Sequence, residues 1–156
     1  MSLFEREFRD CLGRFPTGVA LITVMDGGSA RAMTINSFSS VSLDPPLILW
    51  SLAKDSHRYD RFLNAQDFAV NILAADQADL STACARSDDL EANGGRWTPA
   101  SNGAPLLEDA IARFECRRHQ VFAGGDHEII LGEVLNADRP RDAEALVFVR
   151  SGYSKI

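Results

Sequence analysis

The sequence predicts a mainly β protein with short helices: an antiparallel barrel built as a single domain over residues 1–156. Three observations carry this expectation. Apolar, β-rich runs recur along the chain, about six or seven of them. Turn signals such as Asp26-Gly27-Gly28 and Gly124-Gly125 join most of these runs, where a doubly wound sheet would need regular crossover helices. Finally, 156 residues suit one hydrophobic core, and no repeat, linker or low-complexity segment divides the chain.

The elements follow in order. Ser2 and Glu5 have capping-box spacing, and Phe4, Phe8, Leu12 and Phe15 recur at helical intervals, so a short amphipathic helix is expected from Leu3 to Leu12, ended by Pro16. Val19–Met25 reads as a strand, with further strand pieces at Ala32–Asn36 and Ser39–Leu43. Asp44-Pro45-Pro46 breaks the chain before Leu47–Leu52, apolar enough to be expected buried on both faces. A helix is expected over His57–Leu63, opened by Ser56, then a strand over Phe68–Leu73. Asp76 is placed to cap a helix running to Arg86. Ser87–Gly103 is polar and Gly-rich and reads as a long loop anchored by Trp97 and Pro99. Ile111–Phe122 and His127–Ala137 read as strands, the second bent or bulged at Gly132, and Leu146–Val149 is the last strand.

Bulk properties exclude some functions. The net charge of −6, with Lys and Arg scattered among acids, speaks against nucleic acid, and Arg117-Arg118-His119 reads as a solvated strand end. Cys11, Cys84 and Cys116 form no C-x-x-C pair and are expected to be reduced thiols packed as small apolar groups. Charges interrupt the amino terminus before any apolar stretch, and no apolar run approaches the roughly 20 residues needed to span a bilayer, so a cytoplasmic setting is expected. No G-x-G-x-x-G follows a strand, no Walker-type loop or G-x-S-x-G is present, and His57, His119 and His127 lack metal-ligand spacing.

Three clusters carry candidate chemistry. Thr34-Ile35-Asn36-Ser37-Phe38-Ser39-Ser40 is rich in small hydrogen-bonding side chains. It suits either a strand end with local side chain to backbone bonds or a cradle for a planar, hydrogen-bonding ligand. Ser51-Leu52-Ala53-Lys54-Asp55-Ser56 follows a strand and opens a helix, which suits either a plain N-cap or an anion site. Gly125-Asp126-His127 places a histidine at the mouth of a strand, either a surface turn residue or a donor that orients a second ligand.

Taken in order, several blocks resemble a known family. They are Phe15-Pro16-Thr17-Gly18-Val19-Ala20, then Thr34 through Ser42-Leu43-Asp44-Pro45-Pro46-Leu47, then Phe68-Ala69-Val70-Asn71-Ile72-Leu73 with Gln77 and Leu80-Ser81. Gly103-Ala104-Pro105-Leu106, Gly125-Asp126-His127 and Gly152-Tyr153 complete the set. The ordered set, from Phe8 to Tyr153, resembles the short-chain flavin reductase-like proteins, whose fold is the FMN-binding split β-barrel and many of which are reductase components of two-component flavin monooxygenases.

The resemblance implies an NAD(P)H-dependent flavin reductase that uses NADH or NADPH to reduce FMN or FAD and hands the product to a partner monooxygenase. It also implies a homodimer with flavin near the subunit interface. Carried over by position, Thr34, Asn36, Ser37, Ser39 and Ser40 are expected along the flavin ring and ribityl chain, and Ser51, Ala53, Lys54 and Ser56 on the phosphate side. His127 is expected to contact the nicotinamide cofactor, and Tyr153 to help close its site. The flavin carries the redox chemistry, so no side chain is assigned as acid or base and no metal is implied. Where the family has a phenylalanine shortly after Leu80-Ser81, this chain has Thr82-Ala83-Cys84-Ala85, so Cys84 is expected to replace an aromatic near the flavin; His57 has no assigned role. Two other functions fit: reduction of a specific organic or corrinoid substrate by tightly held flavin, and a non-enzymatic flavin-binding electron carrier. Gly125-Asp126-His127 speaks against the second.

Overall fold

Seven of the apolar runs pair into one antiparallel sheet in the computed structural model, which describes all 156 residues. In chain order they are β2 (Ala20–Asp26), β3 (Ser29–Ile35), β4 (Ser39–Leu43), β5 (Pro46–Ala53), β6 (Asp67–Ile72), β9 (Ala112–Gly124) and β10 (His127–Asp138). Their lateral order is β3-β2-β6-β9-β10-β5-β4. The two edge strands, β3 and β4, are therefore consecutive in the chain, joined only by residues 36–38. So short a link forces the sheet to curl until its edges approach, yet β3 and β4 do not pair. The result is a barrel left split along one seam, as the family resemblance implied.

Five short strands lie outside this sheet. β1 (Thr17–Gly18), β11 (Leu146–Val149) and β12 (Gly152–Lys155) form a three-stranded sheet, and β7 (Trp97–Pro99) pairs with β8 (Pro105–Leu107). The helices are α1 (Leu3–Leu12), α2 (Tyr59–Asn64) and α3 (Ala78–Arg86).

The core divides in two across β2. Ala20, Ile22 and Val24 point into the barrel with Trp50, Leu52, Phe62, Phe68, Val70 and Ile130. Trp50 meets Phe62 and Phe68 edge-on, at ring centroid separations of 6.5 and 6.2 Å. Leu21 points the other way, packed with Val19, Leu73, Cys84, Leu90, Leu107 and Leu146. The strands buried on both faces are thus β2 and β6. The expectation that Leu47–Leu52 is buried on both faces is corrected. Ile48, Trp50 and Leu52 are buried, while Leu47, Leu49 and Ser51 on the opposite face remain half-buried.

Other boundaries also differ. Ser56 does not open α2, which starts at Tyr59; its Oγ accepts from the Arg58 N–H at 3.1 Å and closes a turn before the helix. Asp76 is not a cap. The Gln77 side chain accepts from the Ala74 N–H at 2.8 Å, while Arg141 draws the Asp76 carboxylate outward. The expected loop over Ser87–Gly103 is stitched down. Its Asp88 carbonyl accepts from the Ala32 N–H at 2.9 Å, the Leu90 N–H donates to the Ala30 carbonyl at 3.2 Å, and Trp97 lies on β7. The capping box of α1 forms as expected, but no residue of that helix is buried, and Cys11 is exposed, unlike the buried Cys84 and Cys116. Burial pushes the Cys116 thiol up to about 12, and raises that of Cys84. No helix is long and apolar enough to cross a membrane.

Gly132 marks a bulge: between Leu131 and Gly132 the β9–β10 register slips by one residue. A Cβ there would lie 2.6 Å from the Phe68 ring and 3.2 Å from Ile48, both in the packed barrel core. Gly132→Ala is expected to destabilise the fold by about 1–3 kcal/mol, seen as a lower urea midpoint at unchanged slope.

Candidate functional site

Of the first cluster, Thr34, Ile35 and Asn36 line a cleft at the end of β3, and Ser37, Ser39 and Ser40 do not. The cleft has a volume of about 290 Å³ and is lined by Val19, Thr34, Ile35, Asn36, Ala85, Phe148 and Tyr153. One wall comes from the small sheet. Arg150 and Ser151 both take positive φ, at 51° and 59°, as a tight two-residue hairpin between β11 and β12 demands. That turn presents Tyr153 beside Phe148, with ring centroids 5.6 Å apart. Buried Ser81 of α3 ties the walls together: its carbonyl accepts from Thr34 Oγ1 at 2.6 Å, and its hydroxyl pairs with the Tyr153 hydroxyl at 2.7 Å.

The second and third clusters meet at a corner of the sheet. The Ser51 N–H donates to Ser37 Oγ at 2.9 Å, which fastens the link between β3 and β4 onto β5. Two residues further along β5, Ala53 pairs with His127 in the β5–β10 ladder, and the Lys54 N–H donates to the Asp126 carbonyl at 2.9 Å. Gly125, with φ of +69°, makes the tight turn that starts β10 at His127. His127 Nδ1 lies 2.7 Å from Asp126 Oδ1, and this bond holds the Asp126 carboxyl below its ordinary range. Lys54 Nζ lies 3.9 Å from Glu128, whose carboxylate also accepts from the Tyr59 hydroxyl at 3.1 Å. Burial, and then that bond, raise the Tyr59 pKa. Ser39 and Ser40 lie exposed on β4, the open edge.

Residues directly opposite in an antiparallel ladder share a face. Leu49 pairs with Leu131 and Ser39, Ser51 with Ile129, and Ala53 with His127. The outer face of the β4–β5–β10 corner is therefore a half-exposed apolar platform edged by Ser39, Ser51 and His127.

Cys84, on the inner face of α3, is fully buried in the outer core, with its thiol near Asn93 Nδ2, at 3.5 Å, and it does not line the cleft. Helical phase decides this: Ala85, the next residue, takes the wall position. Phe148, Ala85 and Ser81 were not singled out from sequence as site residues. Phe148 sits in an unremarkable apolar run, and only the hairpin brings it to Tyr153; Ser81 alone carried a signal, as part of the Leu80-Ser81 block.

The cleft suits the flavin that the resemblance implies. Its lining is mainly apolar, with Thr34, Asn36 and Tyr153 as its polar side chains, a composition that suits an aromatic ligand carrying a few polar groups.

Comparison with known proteins agrees. Residues 12–156 match the family model described as a flavin reductase like domain. The chain is 44% identical over 156 residues to the FMN reductase (NADH) SmoA of Agrobacterium fabrum, covering 97% of this chain and 86% of that protein. It is 44% identical over 132 residues to the reductase component of the flavin-dependent trigonelline monooxygenase of Acinetobacter baylyi, covering 84% of this chain but only 43% of that longer relative. Among solved structures, the NADH:FAD oxidoreductase SgcE6 of Streptomyces globisporus, in complex with NAD and FAD fragments, superposes with a TM-score of 0.89 at 38% identity, covering 97% of this chain and 92% of that one. A seam-split antiparallel barrel and a match over nearly the whole length place this chain in the flavin reductase-like domain family.

Proposed function

We propose that this protein is an NAD(P)H:flavin oxidoreductase that works as a homodimer and releases reduced FMN or FAD to a flavin-dependent monooxygenase. The observation that carries the reading is the cleft framed by Thr34, Asn36 and Tyr153, linked through Ser37 and Ser51 to the His127 corner. In this reading Thr34, Asn36, Ser37, Ser39 and Ser40 hold the ring and ribityl chain, and Ser51, Ala53, Lys54 and Ser56 take the phosphate side. Bound flavin supplies a two-electron acceptor, so the side chains bind, orient and exclude water. His127, steadied by Asp126, orients the nicotinamide, and Tyr153 closes the cleft. The names of SmoA and SgcE6 favour NADH as the donor, and a need for that donor favours a cytoplasmic setting.

The homodimer is supported by what one copy leaves uncovered. Leu3, Phe4, Phe8 and Leu12 of α1 are more than half exposed, and the platform of Leu49, Ile129 and Leu131 is only half-buried. Apolar surface of this kind is covered in stable assemblies. A cleft of about 290 Å³ also lies at the small end for a cofactor site, as expected where a second copy supplies another wall.

The test follows NADH and NADPH oxidation with FMN, FAD and riboflavin in turn. The expected result is oxidation that saturates in added flavin. Tightly held flavin, with turnover governed by an organic or corrinoid substrate instead, would move the assignment to a substrate-specific reductase. Bound flavin without pyridine-nucleotide oxidation would make the protein a carrier.

A further inference from the structure

We propose that Arg58 is a positioning residue that couples the phosphate side of the flavin site to the ring cleft. The proposal rests on the flavin-reductase reading above. Arg58 is only 6% exposed and has no carboxylate within ion-pair distance. A buried guanidinium without an ion pair is costly unless its N–H groups are well used. Here they reach three carbonyls on two separate segments. Nη1 donates to the Ala32 carbonyl on β3 at 3.2 Å and to the Cys84 carbonyl at 2.7 Å, and Nη2 donates to the Ala85 carbonyl at 2.6 Å. Only Nε is left without a partner.

The acceptors explain why a planar, forked cation is suited to this place. The last carbonyls of a helix have no partners within it, and Cys84 and Ala85 lie in the final turn of α3. Arg58 takes both, and its charge sits favourably at that end of the helix. Lysine would offer a point charge and no fork. Burial lowers the Arg58 pKa, and nearby Asp88 opposes that.

What Arg58 joins is the site itself. Its backbone N–H donates to Ser56 Oγ, so the same residue fixes the hydroxyl assigned to the phosphate side. Its guanidinium fixes Ala85, a wall of the cleft, and the stretch of β3 two residues before Thr34. The ring cleft and the phosphate segment thus share one buried anchor that touches neither ligand region with its own charge.

The experiment measures FMN and riboflavin dissociation constants, with thermal stability, for the full chain and for Arg58→Lys, Arg58→Met, Ser56→Ala and the Ser56→Ala/Arg58→Lys pair. Arg58→Met is expected to weaken FMN at least tenfold and riboflavin, which lacks the phosphate, at least threefold. Arg58→Lys should recover part of each loss. Ser56→Ala should weaken FMN at least fivefold in the native background and by a clearly smaller factor beside Arg58→Lys, because neighbours that act through one anchor are not additive. Should the methionine variant fail to fold, the lysine variant and its pair with Ser56→Ala carry the test. Additive effects of the two substitutions, or a folded Arg58 variant with both constants within twofold of native, would overturn the coupling while leaving flavin binding by the native chain intact. A native chain that takes up no flavin would instead remove the reading on which it rests.

Discussion

Asn71→Leu is expected to lower stability by about 2–4 kcal/mol, against the 5–15 kcal/mol that holds a typical domain together. Asn71 lies on β6 with no exposed surface. Its Nδ2 donates to the Leu21 carbonyl at 3.1 Å and to Thr23 Oγ1 at 2.9 Å, and its Oδ1 accepts from the Leu107 N–H at 2.9 Å. Thr23 in turn donates to the Pro105 carbonyl at 2.5 Å. Leucine keeps the branched shape, with somewhat greater bulk, but leaves the Leu107 N–H buried without an acceptor and removes a donor from two oxygens. The cost of burying an unmatched backbone donor, about 1–3 kcal/mol, dominates, and the rest of the network adds to it. Urea unfolding should show a lower midpoint with the slope unchanged. A loss below about 1 kcal/mol would mean that the segment at Pro105–Leu107 relaxes to reach water.

His127→Ala is expected to lower kcat/KM for NADH by about 10–100-fold, the scale of loss when a reactant is held out of line by a fraction of its length. Flavin affinity should stay within threefold of native, because the His127 side chain lies on the outer face of the β5–β10 ladder and lines no part of the cleft at Thr34. Asp126→Ala should cost less, since Asp126 reaches the reaction only through the 2.7 Å contact with His127 Nδ1. Stopped-flow reduction of flavin by NADH separates binding from hydride transfer. Loss of flavin binding with normal reduction of whatever stays bound would move His127 from the nicotinamide to the flavin.

Where a local rule governs, sequence and structure coincide. The capping box of α1 needs only Ser2 and Glu5 three residues apart, and both bonds form. The turn at Gly125 needs only a residue that tolerates positive φ, and it starts β10 at His127, as its position suggested. The bulge at Gly132 was legible because an unsubstituted position inside a strand signals a bend or a close approach. The ordered blocks, read together, also pointed to the family that the comparisons bear out.

The misses have a common cause. Apolar content in Leu47–Leu52 did not reveal that only one face of β5 meets the barrel core, because burial on a face depends on which strands lie across from it. Asp76 and Ser56 have side chains suited to caps, but Arg141 and the Arg58 backbone N–H compete for them. Arg58 itself carried no signal: its value lies in the carbonyls of Ala32, Cys84 and Ala85, 26 or 27 residues along the chain, and a backbone carbonyl has no sequence identity.

By itself the sequence determined the class of fold, the tight turns, the α1 cap and the family, since these depend on residue type and short spacing. Tertiary structure alone decided which face of β5 is covered, that Cys84 turns inward while Ala85 lines the cleft, and that Ser81, Phe148 and Tyr153 meet. Each of those outcomes is set by contacts between segments distant along the chain, whose geometry exists only once the sheet has curled and brought β3 near β4.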